Sequence, residues 1–327
     1  MANSLKQKAN LLIDLIDSRL IDKNTPICIG LSGGIDSICL LHILSKLDQK
    51  YNFTLSAIHI NHGISPNANY WSEFCKKFCD SLSIPLIVKQ YQITKTGGES
   101  LENNARNIRY LEFAKVDAPI IALAHHQDDL VETILSQILR GSDLHNVAAM
   151  DIISNKRGKT LWRPLLDITR SQIEAYAKEF ELDYIDDESN DDTKYLRNFL
   201  RHDIIPKLNQ FDPNVASKIL KFKQQASGAI KLIDQIAKDD LAQIACDHRL
   251  DLDKFKCLSL ERQINLLSYY LVDLQIKLPS QLQLKEFANQ ASNSAWDRKP
   301  SLKLDGNCNL IKFKNKIYIE LGSPQNG

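Results

Sequence analysis

The chain has 327 residues, 43% apolar and 25% charged, with a formal net charge of +1. This balance is ordinary for a soluble globular protein and excludes nucleic-acid binding by bulk charge; any such binding must rest on local patches. No apolar run approaches a membrane span, and the first helical pattern, Ser4 to Leu20, carries Asp14 and Asp17, so it does not read as a signal peptide. Seven cysteines, an odd number at irregular spacing with no Cys-x-x-Cys, predict free thiols in a cytoplasmic, reducing setting.

Strand and helix patterns then alternate. The spacing predicts strands over Ile27–Leu31, Thr54–Ile60, Leu86–Gln90 and Pro119–Ala124. It predicts helices over Ser37–Asp48, Pro66–Ser83, Ser100–Val116 and Asp129–Arg140. Such alternation implies an α/β fold, a doubly wound parallel sheet with helices on both faces, and ligands at the carboxyl ends of its strands. Residues 153–160 read as polar loop. A helix follows Pro164, opened by Thr169 and Gln172 in capping-box spacing. Asp186 to Asp192 is an acidic loop, and Asn198 to Leu208 returns to a helical pattern. Phe211-Asp212-Pro213 is a break, giving a first domain over 1–210 and a smaller, mainly helical α+β domain over 211–327. There, helices are expected over Val215–Ile244, Ser259–Leu274 and Pro279–Gln290. Short strands are expected at Ser301–Leu304, Asn309–Phe313 and Lys316–Leu321.

The most informative segment is Ser32-Gly33-Gly34-Ile35-Asp36-Ser37, set between the first strand and helix. Paired glycines allow a sharp turn whose N–H groups face a ligand, and the helix N-terminus favours an anion. Ser32 and Ser37 add hydroxyls. A carboxylate beside a phosphate repels it unless a cation intervenes, so Asp36 suggests Mg²⁺. The Gly158-Lys159-Thr160 triplet is a decoy, because Ile153 stands where a Walker loop needs its first glycine.

Other segments carry weaker signals. His59-Ile60-Asn61-His62-Gly63 ends a strand, where Gly63 permits close approach to a nucleotide; a loop with satisfied histidines fits equally. Arg106 and Arg109 share a helix face and suit a phosphate or carboxylate, or simply water. In Ala124-His125-His126-Gln127-Asp128-Asp129-Leu130-Val131-Glu132-Thr133, Asp129 and Glu132 share a helix face and Asp128 can cap it. Paired carboxylates there suit a metal or a cationic amine. The two histidines pair with carboxylates, bind phosphate or pack. Arg197 and Arg201 lie one helical turn apart. They either pair with the acidic loop before them or hold a polyphosphate or RNA backbone.

Ser32–Ser37 resembles the SGGxDS signature of PP-loop ATP pyrophosphatases, which cleave ATP between its α- and β-phosphates. The order SGGIDS, HINHGIS, ARNIRY, AHHQDDLVET, LRG, RPLL, DDESN and RNFLR, over about residues 25 to 207, is similar to the tRNA(Ile)-lysidine synthase family. The resemblance implies ATP and Mg²⁺, free L-lysine, and the isoleucine tRNA with a CAU anticodon. In that reaction O2 of the wobble cytosine is adenylated and the lysine ε-amine then attacks C2, releasing AMP. It assigns ATP to Ser32–Ser37, His59 and Arg109. It gives catalytic roles to Asp36, Asp129, Glu132 and Arg197. It gives substrate contacts to Arg106, His125, Asp128, Arg163, Asp187, Asn190 and Arg201.

In the C-terminal half, Lys312, Lys314 and Lys316 belong to a basic cluster interleaved with Phe313 and Tyr318, suited to a tRNA backbone or to guarding a sheet edge. Larger members of the family carry a further C-terminal domain, so an end at Gly327 resembles either a short form or a truncated chain. The alternatives are another PP-loop enzyme, adenylating a different base or a small molecule, and a non-catalytic nucleotide- or tRNA-binding module. The carboxylate set argues against the module. Nothing in the sequence indicates the oligomeric state.

Overall fold

The computed structural model describes residues 12–16, 25–51, 53–93, 101–142, 144–148, 150–186, 196–304 and 308–321. It forms two compact units, Met1–Lys223 and Gln224–Gly327. The break expected at Phe211-Asp212-Pro213 ends the helix Ile205–Phe211, and the division falls inside the next helix, Val215–Ile244.

The first unit is built on a six-stranded sheet of order β3-β2-β1-β4-β6-β5. Its strands are β1 Ile27–Gly30, β2 Leu55–Asn61, β3 Leu86–Gln90, β4 Ile120–Ala122, β5 Ile153–Lys156 and β6 Lys159–Trp162. Ile27, Cys28 and Ile29 are buried on both faces, as a central parallel strand requires, and β1 pairs in parallel with both β2 and β4. The chain leaves β1 toward β2 on one side and later returns to β4 on the other. The loops after β1 and β4 therefore open at a topological switch point, the standard ligand crevice of such sheets.

Helix α1, Ile35–Tyr51, follows β1. Ile38, Leu40, Leu41, Ile43 and Leu44 are all fully buried, so it is a core helix rather than an amphipathic surface one. Each such side chain contributes about 1.5–3 kcal/mol on burial. The loop at its N-terminus thus stands on the buried core of the domain. Helices α2, Ala68–Ser81, α3, Leu101–Lys115, and α4, Gln127–Leu139, complete the alternation.

Residues 153–160, expected to be loop, instead form an antiparallel hairpin of β5 and β6. Its two-residue turn puts Arg157 at φ 51° and Gly158 at φ 75°, the left-handed pair that matches strand twist. The edge strand β5 escaped the sequence reading because Ser154, Asn155 and Lys156 give it no apolar alternation.

The second unit packs helices on a five-stranded sheet of order β7-β8-β11-β10-β9. The expected strands are β9 Ser301–Leu304, β10 Cys308–Phe313 and β11 Lys316–Leu321, with a hairpin through Lys314-Asn315. The short strands β7 Ala245–Cys246 and β8 Arg249–Asp251 were not expected; β8 pairs with β11. Leu250, Phe255, Leu266, Leu271, Leu310 and Ile317 form its core.

Candidate active site

The Ser32–Ser37 loop folds around one hydroxyl. Ser37 Oγ accepts the backbone N–H groups of Ser32 and Gly33, both at 3.2 Å, and donates to Gly34 O at 2.9 Å. The N–H groups that face Ser37 are those that suit a phosphate oxygen. Gly33 has φ +93°, and a Cβ there would stand 2.6 Å from Ile185 Cδ1. The Ile185 N–H donates to Gly33 O at 2.9 Å, so the chain entering the acidic loop lies against the glycine turn. Only glycine meets both the dihedral and the clearance.

This loop and the ends of β2 and β4 enclose a cavity of about 980 Å³, lined by Ser32, Gly34, Asp36, His59, Arg109 and Glu132 among others. His59 Nε2, His62 Nδ1 and His125 Nδ1 are buried there without a hydrogen-bond partner. Buried polar atoms are rarely left unpaired, so these three mark the place of a polar ligand. Burial lowers all three rings below the usual histidine range, His62 to about 4 and His125 to about 3. They therefore act as neutral hydrogen-bonding groups. His59 Nδ1 faces Leu31 O at 2.9 Å and must donate to it, which leaves Nε2 as an acceptor. Gly63, expected to admit a nucleotide, lines the cavity, and a Cβ there would lie 2.6 Å from Tyr91 O.

Asp36 faces the cavity from the first turn of α1. Arg170 Nη1 donates to both its oxygens, at 2.8 and 2.7 Å, and His126 Nε2 lies 3.7 Å away. Burial pushes the Asp36 carboxyl up, against the opposing pull of His126 and Arg170. His126 shows the reverse balance. Burial pushes it down, but Asp128, Asp129 and Asp36 more than offset that, and its pKa is raised. Asp128 does not cap α4. His126 holds the cap position, its N–H donating to Asp129 Oδ2 at 3.1 Å, while Asp128 Oδ2 accepts the Arg170 N–H at 2.9 Å.

Asp129 and Glu132 are met by two arginines. Arg197 donates to Glu132 Oε2 and Asp129 Oδ1, both at 2.8 Å. Arg201 donates to Glu132 Oε1 at 2.6 Å, to Glu132 Oε2 at 3.0 Å and to Asp129 Oδ1 at 3.2 Å. The arginines flank the start of a π-helical turn, Leu200–Ile204, a local widening common at functional positions. Asp129 stays below the usual carboxylate range: Arg197, His126 and His125 outweigh the burial that would raise it. Among the described residues these arginines pair with α4; the acidic loop expected to meet them lies, beyond Asp186, outside the described residues. A metal ion or a lysine amine would have to displace a guanidinium to reach either carboxylate.

Ile35 and Ser37 line the cavity, as does Arg109, whereas Arg106 turns its guanidinium over Tyr110, 5.1 Å from the ring centroid. Arg163, expected to touch substrate, is 5% exposed and donates to Asp151 O at 2.8 Å and Ser154 Oγ at 3.0 Å, so it fastens the β5 edge. Asp187 and Asn190 lie outside the described residues. Lys312 is a clear correction. It is fully buried, and its Nζ donates to the carbonyls of Ala295, Trp296 and Arg298 at 2.7, 3.5 and 3.3 Å. It satisfies backbone groups and is not available to RNA. Lys314 and Lys316 remain exposed or half-exposed, with Lys316 3.8 Å from Asp251. Arg170 and Ile185 belong to the site and were missed, whereas His126 pairs with carboxylates, one of the roles weighed for the two histidines. Arg170 carried one usable signal: an arginine directly after the Thr169 cap sits at a helix start, where a cation is disfavoured unless it has an acidic partner.

A glycine turn at a switch point, a carboxylate at the start of the following helix and a histidine-lined cavity define a PP-loop nucleotide-binding enzyme. Residues 2–208 match the PP-loop domain family, and residues 250–318 match the TilS substrate binding domain. The chain is 39% identical over 291 residues to a tRNA(Ile)-lysidine synthase of Chromobacterium violaceum, covering 88% of this chain and 67% of that protein. It is 41% identical over 268 residues to the tRNA(Ile)-lysidine synthase of Nitrosomonas europaea, covering 81% and 58%. The chain belongs to the tRNA(Ile)-lysidine synthase family. The fold is also that of the U34-tRNA thiolase NcsA of Methanococcus maripaludis, with TM-score 0.58 and 18% identity over 67% of this chain and 77% of that one.

Proposed function

We propose that this chain joins lysine to C2 of the wobble cytidine, position 34, of the CAU-anticodon isoleucine tRNA, through an adenylated tRNA and with release of AMP and pyrophosphate. The observation that carries the reading is the Ser32–Ser37 loop opening, with Asp36, into a cavity that also holds the His125–Glu132 segment. The loop N–H groups and the α1 N-terminus suit the phosphates, and the neutral histidines His59, His62 and His125 suit hydrogen bonding to the nucleotide.

Mg²⁺ binds through one or two carboxylates and substrate phosphates, and the site fits that habit. Asp36 is a single, partly exposed carboxylate at the loop, and no cluster of three or more metal-binding side chains occurs among the described residues. When bound, Mg²⁺ would neutralise charge between Asp36 and the phosphates. Arg170 must then share or yield Asp36. Asp129 and Glu132 hold Arg197 and Arg201, of which Arg201 lines the cavity, so we assign them positioning roles. Asp128 and Asp186 line the cavity and are not gripped by guanidinium side chains among the described contacts, so they are the better partners for the lysine amine. That amine, with an ordinary pKa of ~10.4, must lose a proton before it attacks. Membership of the family supports the proposal of free lysine, CAU specificity and a cytoplasmic setting.

The test is incubation with ATP, labelled lysine and tRNA transcripts of different anticodons. Lysine should enter only the CAU transcript, with AMP as the nucleotide product. ADP as the product would overturn the reading.

A further inference from the structure

Outside the cavity, cations gather around one buried tyrosine. Tyr110 on α3 is 5% exposed. Lys156 Nζ lies 3.7 Å from its ring centroid and Arg106 Cζ 5.1 Å, with Arg106 Nη2 donating to the phenol oxygen at 3.2 Å. Arg157 follows at the tip of the β5–β6 hairpin, and Arg163 lies close enough to add its charge. Arg106, Lys156 and Arg157 are exposed, and none of them makes an ion pair with a carboxylate among the described residues.

Like charges so gathered repel within a Debye length of ~8 Å. Desolvation of the Lys156 ammonium beside the ring lowers its pKa, and Arg106, Arg157 and Arg163 lower it further. Lysines that merely guard an edge strand splay into water. Here Lys156 instead folds back onto the ring, and stacking on Tyr110 fixes two cations in place. A surface that holds cations together, with no carboxylate paired to them among the described residues, favours an incoming polyanion and has already met part of the ordering cost.

We propose that Arg106, Lys156 and Arg157 form a docking surface for consecutive phosphodiesters of an RNA backbone, separate from the nucleotide cavity. None of the three lines that cavity. The proposal rests on the tRNA reading of the active site, and an open row of cations suits a polyanion better than a mononucleotide.

The test is the triple variant R106Q/K156Q/R157N, in which asparagine tolerates the left-handed backbone at 157. The isoleucine tRNA transcript is titrated by fluorescence anisotropy over a salt series. The control is K76Q/K77Q, which removes exposed lysines of α2. The triple variant should lower the salt slope by roughly 0.7–0.9 per lost phosphate contact and weaken binding about tenfold or more at low salt, with the ATP KM unchanged. An unchanged slope, or an equal drop in the control, overturns the surface alone. A wild-type chain that does not bind the transcript overturns the tRNA reading and the surface with it. Loss of binding to phosphatidylglycerol vesicles with an unchanged tRNA slope would assign the patch to a membrane and overturn the proposal.

Discussion

Arg170 Nη1 holds both carboxylate oxygens of Asp36, residues 134 positions apart in the chain. The residue proposed to meet Mg²⁺ therefore already has a cationic partner, and that partner also faces the cavity. Arg170→Ala should lower AMP formation on the order of 10²-fold, the usual effect of removing one preorganised charge from a reacting centre. Asp36→Ala should abolish AMP formation without unfolding the chain. AMP release and circular dichroism measured together check both. An Arg170→Ala enzyme with wild-type turnover would reduce the pair to a structural tie.

Glu132 is 1% exposed and accepts from two guanidinium groups. Glu132→Gln leaves Arg197 and Arg201 short of a counter-charge. It should cost about 3 kcal/mol in urea denaturation, the low side for a buried pair because both arginines are partly exposed. Lysine transfer should fall as well. A double-mutant cycle with Arg201→Gln isolates the pair, and a coupling near zero would show that the contact does not act.

Acid should weaken the first unit. His42 and His62 are lowered to about 4 and His125 to about 3, each chiefly by burial. Unfolded, such groups take up protons near ~6.5, so stability is fully present above that value and is lost as pH falls toward 4–3. His126 acts in the opposite sense, its raised pKa giving stability at low pH that fades as pH rises. Urea midpoints across this range should decline on the acid side. His62→Gln should flatten the decline, and an identical pH profile would show that its ring titrates normally.

In the second unit, Lys312→Met removes the ammonium from three carbonyls and leaves Ala295 O only the Arg298 N–H. It should cost about 3 kcal/mol of stability. Lys314→Gln with Lys316→Gln should leave stability within about 0.5 kcal/mol and reduce only tRNA affinity and its salt dependence. Thermal melts beside binding titrations separate the two. A stable Lys312→Met protein that has lost tRNA affinity would reverse the assignment.

The sequence by itself determined the strand–glycine turn–helix unit at Ile27–Ser37, because local turn chemistry and an apolar core helix leave few other conformations. Its alternating pattern also determined the parallel sheet and hence the rim on which Asp36, His125 and Asp129 meet. What it left open was pairing. Four-residue spacing places Arg197 and Arg201 on one face but does not name Asp129 and Glu132 as their partners. No local pattern joins Arg170 to Asp36, since a charge interacts through space and sequence records only neighbours along the chain. Lys312 makes the same point in reverse: its charge reads as surface, yet the carbonyls of Ala295, Trp296 and Arg298 accept its ammonium inside. Only tertiary structure decides such cases, because burial and the supply of hydrogen-bond partners are set by elements far apart in the chain.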